Sequence, residues 1–309
     1  MSAYVVRRLL GLLPVLAAAI VLTFAANQFV PGDPVTVMLG DQGGNVELEQ
    51  KLRREYGLDR PLPVQFADYL AKLARGDFGL SFRYPSVPVT QVIRDALWIS
   101  PSLAAAALVL ALPIGISLGI VAALRRNTLA DTGIILVLVA GLSIPNFALA
   151  AFFVWIFALK LGWAPVAGWT SWRHAVLPVA LLAIPAAAYL ARLARTFMLE
   201  VLQQDYVRTA RAKGLPERLV VWRHSLRNVL VPILTVCGVI FGTLITGTVV
   251  IETIFNIPGL GRIAIDSIFA RDYPVTMAIV MLFTFFYAII NFIVDVLYGI
   301  VDPRIRISR

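Results

Sequence analysis

Charge is scarce in this chain. Asp, Glu, Lys and Arg together make up 15% of its 309 residues, against about 25% in ordinary soluble domains. Disorder is excluded, because 59% of the chain is hydrophobic and its mean hydropathy is +0.82. The same figures argue against a soluble globule. Cysteine is all but absent: Cys237 stands alone, so no intrachain disulfide can form. Histidine is limited to His174 and His224, far apart in sequence, and no Cys/His cluster has metal-ligand spacing. A structural or catalytic metal site is not expected.

What is present is apolar sequence in long blocks, near or above the about 20 residues that cross a bilayer. Six spans are expected, over 9–30, 97–124, 133–159, 175–190, 229–251 and 274–300. The expected fold is an all-α integral membrane protein of six transmembrane helices. Pro113, Pro145, Pro178, Pro185 and Pro232 fall inside spans, where neighbouring helices can re-satisfy the freed carbonyls, and kinks are expected there. The first block follows Arg7 and Arg8 as a signal peptide would. It is longer than the about 7–15 residues of a signal core, and no clear A-x-A cleavage site follows. It is read as a retained helix.

Charge fixes the expected topology. With the N-terminus in the cytoplasm and six alternating spans, the cytoplasmic side carries fifteen Lys/Arg and six acids, and so holds the whole net charge of +9. The remaining twelve basic and twelve acidic residues cancel on the outside. That is the positive-inside pattern, with both termini cytoplasmic. It removes the need for a nucleic-acid partner, since no basic soluble domain exists to bind one.

Four regions follow: an N-terminal transmembrane helix (1–30), an extracytoplasmic loop subdomain (31–96), a five-helix transmembrane core (97–301) and a cytoplasmic tail (302–309). The loop holds two expected helices. Asn45 can cap one that runs to Tyr56 and stops at Gly57. Pro61 opens the other and Gly76 closes it, with Phe66, Leu70 and Leu73 on one face. The loop is too small for a core of its own and is expected to pack on the outer membrane face or on a partner. Between spans four and five, at 203–218, lies a polar segment that reads Gln203-Gln204-Asp205-Tyr206-Val207-Arg208-Thr209-Ala210-Arg211-Ala212-Lys213-Gly214-Leu215. Asp205 suits an N-cap and Gly214 a C-terminal stop, with about two turns of helix between them. Ala210 and Gly214, four apart, leave one face shallow. Two occupants suit such a helix at the cytoplasmic face: another protein, or anionic membrane lipid.

This segment resembles the coupling region of ABC-importer permeases, in which Glu-Ala-Ala is followed by three residues and then Gly. The aligned positions here are Arg208, Thr209, Ala210 and Gly214, so the glutamate and one alanine are replaced. The longer string 206–215, with His224-Ser225-Leu226-Arg227-Asn228 and Pro232, resembles the dipeptide, oligopeptide and nickel permeases. Further matches run in order along the chain: Pro31-Gly32-Asp33-Pro34, Tyr56-Gly57-Leu58-Asp59 with Pro61, and Gly76-Asp77-Phe78-Gly79. After them come Glu252-Thr253-Ile254-Phe255-Asn256-Ile257-Pro258-Gly259-Leu260-Gly261, Arg271-Asp272-Tyr273-Pro274 and Asp302-Pro303-Arg304-Ile305-Arg306. The pattern is similar to the first of the two permeases such systems encode, the one with the long external loop.

The resemblance implies the type I ABC-importer permease fold and a place in the bacterial inner membrane. It implies two separate ATPase subunits, a second related permease and an extracytoplasmic substrate-binding protein as partners. No G-x-x-x-x-G-K-[ST] phosphate loop occurs in the chain, so ATP and magnesium fall to those partners and the chain carries no catalytic site or cofactor. Asp205, Tyr206, Arg208, Thr209, Ala210, Arg211, Lys213, Gly214 and Leu215 would dock an ATPase. Glu252, Asn256, Pro258, Gly259, Gly261, Arg271 and Asp272 would form an outer gate or meet the binding protein, with a short helix over 260–269. An ordinary connector is the simpler reading of that stretch. Span five carries Gly238 and Gly242, and Thr243 and Gly247, as small-xxx-small pairs, which suits helix packing. Asn146, Thr243 and Thr246 are the candidates for the translocation path. The expected cargo is di- or oligopeptides. Nickel chelates, glutathione and other small solutes are the alternatives within the same machine. An ion-coupled secondary transporter is the rival class, but it would show an inverted repeat and midplane charges, and neither is found.

Overall fold

The computed structural model describes residues 2–29, 33–39 and 46–301. Pro31 and Gly32 of the first motif, the expected cap Asn45 and the expected tail 302–309, with Asp302 to Arg306, lie outside the described residues. The helices are α1 (Ser2–Phe29), α2 (Pro34–Leu39), α3 (Val46–Glu55), α4 (Leu62–Leu73), α5 (Val89–Arg94), α6 (Ile99–Leu124), α7 (Leu129–Ser143), α8 (Asn146–Phe153), α9 (Arg173–Leu202), α10 (Asp205–Ala212), α11 (Glu217–Leu219), α12 (Leu226–Ile254), α13 (Leu260–Phe269) and α14 (Tyr273–Val301). Two segments, Val154–Lys160 and Val220–Ser225, are wound more widely than an α-helix.

Among the described residues, five helical stretches are long and apolar enough to cross a membrane, and a bent pair supplies the sixth crossing when counted as one. That pair corrects the expected single span over 133–159. Between α7 and the helix that begins at Asn146 the chain bends by 103°. The cause is Pro145, whose ring disfavours helical geometry in the residue before it. Ile144 accordingly takes an extended conformation, with φ −86° and ψ 122°. Pro14, Pro113, Pro178, Pro185 and Pro232 stay inside continuous helices. The expected fourth span, 175–190, is longer in the structure: α9 continues unbroken through Arg192 and Arg195 to Leu202.

The chain divides into two units. The first comprises Met1–Ser100 and Pro258–Ala288. Here α4 does not stand off as a separate cap. Phe66 packs on Phe24 of α1 with ring centroids 5.0 Å apart, and the Tyr69 hydroxyl donates to the Met281 sulfur of α14 at 3.3 Å. The loop helices therefore borrow an apolar surface from the chain's own long helices. Asp33 starts α2, accepting the Val35 N–H at 3.0 Å, and its other oxygen pairs with Arg53 of α3.

The second unit comprises Pro101–Ile257 and Ile289–Arg309. α9 is its centre, and the packing depends on small residues that let backbones touch. A Cβ at Gly115 of α6 would lie 2.6 Å from the Ala187 carbonyl oxygen of α9. One at Gly119 would strike the Ala191 carbonyl and the Ala194 methyl. On another side Leu138 of α7 packs with Ala188 and Ala191. α12 packs along α9 with Gly247 against Leu182. It meets α14 where Gly238 leaves room for the Asn291 amide and nothing larger.

Gly119→Leu is expected to lower stability by about 1–3 kcal/mol or more, because the added atoms meet backbone and not flexible side chains. Gly133 of α7 has nothing within 4 Å of its Cβ position, so Gly133→Ala is expected to leave stability unchanged or raise it by up to about 1 kcal/mol. Thermal unfolding of the two purified proteins in one detergent checks the contrast.

Candidate functional site

The polar segment after α9 folds as expected in outline and differently in detail. α10 spans Asp205–Ala212. Its N-cap position is Gln204 and not the expected Asp205, which is instead the first helical residue, where a carboxylate favours the positive helix end. The end is as read from sequence. Gly214 has φ +74°, its N–H donates to the Arg211 carbonyl at 2.9 Å, and the Leu215 N–H donates to the Ala210 carbonyl at 3.3 Å. That is a Schellman closure, and it needs the left-handed residue that glycine supplies.

Ala210 turns inward while Gly214 stays exposed, which corrects the expectation that the two share one shallow face toward a partner. Ala210 and Val207 are buried with Val220, and Val201, Leu202 and Leu215 close around them. α10 is thus held to the end of α9 and to the wide turn Val220–Ser225 by a small apolar core of this chain. The Asn228 side chain donates to the Tyr206 hydroxyl at 2.6 Å, tying α10 to the start of α12. Arg211 is committed as well: its guanidinium forks onto Glu217 at 2.6 and 3.1 Å. This pair holds the Glu217 carboxyl below the usual carboxylate range. Its contribution is present above the ordinary value of about 4.3 and fades only as pH falls through the lowered one. What remains outward is Asp205, Arg208, Thr209, Lys213 and Gly214, all exposed. Beside them Glu200, Val201, Gln204, Tyr206 and Asn228 line an open groove of about 490 Å³.

The outer candidates fall in both units and are described within each. In the second unit Glu252, near the end of α12, is fully buried. Asn256 is exposed in the left-handed region at φ +53°, and the Ile257 N–H closes the helix end on the Glu252 carbonyl at 2.9 Å. In the first unit Gly259 opens α13, the helix expected over 260–269, and Ser100 accepts the Leu260 N–H at 2.9 Å. Pro258 is exposed, Gly261 is buried, and Arg271 ends α13 at φ +54°.

Asp272 does not face a partner. It is 1% exposed. Its carboxylate accepts the Ser81 hydroxyl, the Phe82 N–H at 2.9 Å and the Arg83 N–H at 3.2 Å. The motif Gly76-Asp77-Phe78-Gly79 leads the chain into that cradle. Both glycines have positive φ, and the Asp77 side chain accepts the Gly79 N–H at 2.8 Å. Around it Tyr56, Phe82 and Tyr273 form a run of edge-to-face rings at 5.2 and 6.0 Å, and burial pushes the Tyr56 phenol up. The role of Asp272 is to pin residues 81–83 to the corner between α13 and α14.

Thr243 and Thr246 lie on one exposed face of α12, with Thr235 and Thr253. Each hydroxyl donates back to the carbonyl four residues earlier, at 2.8–3.4 Å, so outward each offers acceptor lone pairs. Asn146 is half-buried at the start of α8, which packs on α12.

Sequence reasoning did not single out an ion pair inside the second unit. Arg195 of α9 forks onto Asp131 of α7 with both bonds at 2.8 Å. The usable signal was Thr128-Leu129-Ala130-Asp131, a capping-box spacing just before an apolar run.

The chain matches the family described as "Binding-protein-dependent transport system inner membrane component" over residues 115–307. The N-terminal component of such membrane proteins matches over residues 1–104. It is 43% identical to a Brucella abortus protein provisionally named peptide transport system permease protein, over 99% of each chain. It is 41% identical to the glutathione transport system permease protein GsiC of Escherichia coli K12, over 98% of each. A chain from inward-facing structures of the MetNI methionine ABC transporter superimposes with a TM-score of 0.58 at 17% identity, covering 69% of this chain and 97% of that one. At that identity the match speaks for the fold alone.

Asp272→Ala is expected to leave the buried Ser81 hydroxyl and Phe82 N–H without an acceptor, at about 1–3 kcal/mol for each lost partner. Hydrogen exchange at residues 79–88 is expected to speed up, with exchange in α9 unchanged.

Proposed function

The chain belongs to the family of binding-protein-dependent transport system inner membrane components and is an ABC-importer permease, and from that premise we propose that it carries small peptides across the bacterial inner membrane. In this reading a substrate-binding protein delivers cargo at the outer side, and a second, related permease completes the path. Two ATPase subunits, which bind ATP and magnesium, drive the cycle from the cytoplasmic side, where both termini of this chain also lie.

The observation that carries the proposal is α10. It is a short polar helix between two long apolar ones, fastened by its own core and by the Tyr206–Asn228 bond. A helix held that firmly yet presenting Asp205, Arg208, Thr209 and Lys213 outward is suited to transmit force from another protein. A lipid-facing helix would turn its apolar side to the bilayer, whereas here Val207 and Ala210 are used internally. Closure of the ATPase pair would displace α10 and rock α9 and α12 between two discrete packings, which is alternating access by rigid-body motion.

For the cargo, relatives named for peptides and for glutathione stand at similar identity. Glutathione is itself a tripeptide, so both names fall within one chemical class. The hydroxyl face of Thr235, Thr243, Thr246 and Thr253 supports an uncharged path. It offers acceptors to amide N–H groups and makes few demands on side chains.

Thr209→Trp and Arg208→Glu are expected to cut peptide uptake by about tenfold or more, since a bulky or reversed group at the centre of a docking face costs at least about 1.4 kcal/mol. Membrane insertion and thermal stability should stay unchanged. Wild-type uptake by both variants would sink the docking assignment. In the same vesicles, unlabelled glutathione is expected to compete with a labelled dipeptide if the cargo class is as proposed.

A further inference from the structure

Three fastenings converge on one short stretch of α9. Gly115 of α6 lies against Ala187, Leu190 and Ala191. Gly119 of α6 lies against Ala191, Ala194 and Arg195. The guanidinium of Arg195 then forks onto Asp131 of α7. From residue 187 to residue 195 is about 12 Å of helix. Arg195 is followed by seven further residues of the same unbroken helix, ending at Leu202, and α10 begins three residues on at Asp205.

The ion pair is built for orientation. Asp131 is 3% exposed and spends both carboxylate oxygens: Oδ1 accepts Arg195 Nε, and Oδ2 accepts Arg195 Nη2. Oδ2 also accepts the Asn127 N–H at 3.1 Å. Asn127 adopts φ +64° to present that N–H, a conformation asparagine tolerates better than most residues. Thr128 caps α7, its hydroxyl accepting the Asp131 N–H at 3.4 Å. The turn between α6 and α7 is therefore shaped around this carboxylate. A buried ion pair is a weak source of net stability, because desolvation offsets most of the attraction. A two-bond fork fixes angle and register as a single contact does not.

We propose that Asp131 and Arg195 are positioning residues for transport: the fork makes α6, α7 and the C-terminal half of α9 one rigid body, so that displacement of α10 carries α7 and the bent segment after it. Without the fork, α9 slides on α7, and the motion of α10 is lost before it reaches the rest of the unit. This rests on the reading of α10 as the ATPase-docking helix, and it adds the route by which force leaves that helix.

The test uses the complete transporter in proteoliposomes and reads peptide imported per ATP hydrolysed, together with the amount of assembled complex. Asp131→Asn and Arg195→Met are expected to lower that ratio about tenfold, within the roughly two- to thirtyfold range that such coupling contacts command. ATP hydrolysis should stay within about twofold of wild type. The double variant is expected to be no worse than the worse single one, because two residues that act as a unit do not add. Arg195→Lys keeps a charge beside Asp131 and loses the fork. It should assemble normally and lower the ratio about threefold, so it decides the matter if the neutral variants do not assemble. An unchanged ratio in the variants that assemble overturns the proposal, as does a loss confined to assembly with uptake and hydrolysis falling in proportion. Failure of the docking reading looks different: the wild-type chain itself would then leave the hydrolysis rate of the ATPase subunits unaltered on assembly.

Discussion

The contact on which the second unit depends is the approach of α6 to α9 at Gly115 and Gly119. Two helices in a bilayer gain little from hiding apolar surface, because lipid is as apolar as they are. They gain from touching closely over a long line. Gly115 and Gly119 on one helix, with Ala187, Ala191 and Ala194 on the other, let the backbones approach, and Leu190 fits against the bare Cα of Gly115. Once that line is made, α9 is fixed, and α7, α12 and the polar helix beyond its end take their positions from it.

Buried carboxylates then set the orientation of what surrounds that line. Asp131 gathers a guanidinium fork and a turn N–H and so binds α7 to α9. Asp272 gathers a hydroxyl and two backbone N–H groups and so binds an outer loop to its corner in the first unit. In both, a carboxylate in apolar surroundings is tolerable because its oxygens are satisfied. In both, donors reach the carboxylate from a segment remote in sequence, Arg195 in the first case and residues 81–83 in the second, which converts a local charge into a long-range constraint.

Much of this was legible in the sequence. Block lengths gave the apolar helices, Gly57, Gly76 and Gly214 gave three stops, and the helix over 260–269 was placed by the Pro-Gly pair before it. The bend at Pro145 was legible only as a kink, because proline disfavours helix in its neighbour without saying whether the chain bends or breaks. α9 outran its expected end because Arg195 reads as a span terminator until its partner is known, and that partner lies 64 positions away. The same limit explains Asp272 and Ala210. A polar residue in a loop reads as exposed, and a small residue on a polar helix reads as a shallow docking face. Only the fold shows that Ser81 and Phe82 cover the first and that Val207 and Val220 flank the second.

The account makes α10 a lever: gripped from outside on Arg208, Thr209 and Lys213, held from inside on Val207 and Ala210, and joined by a two-residue turn to a helix that is welded to its neighbours. Its central claim is that the outward side of α10 is covered by an ATPase subunit. A photoreactive amino acid placed at Lys213, activated in native membranes of cells that express the whole system, tests this directly. The account predicts a single major adduct whose mass and peptides are those of an ATP-binding subunit. The same label at Val207, facing the internal core, should yield crosslinks only within this chain. Adducts to lipid alone at Lys213, or to no protein other than this one, would contradict it.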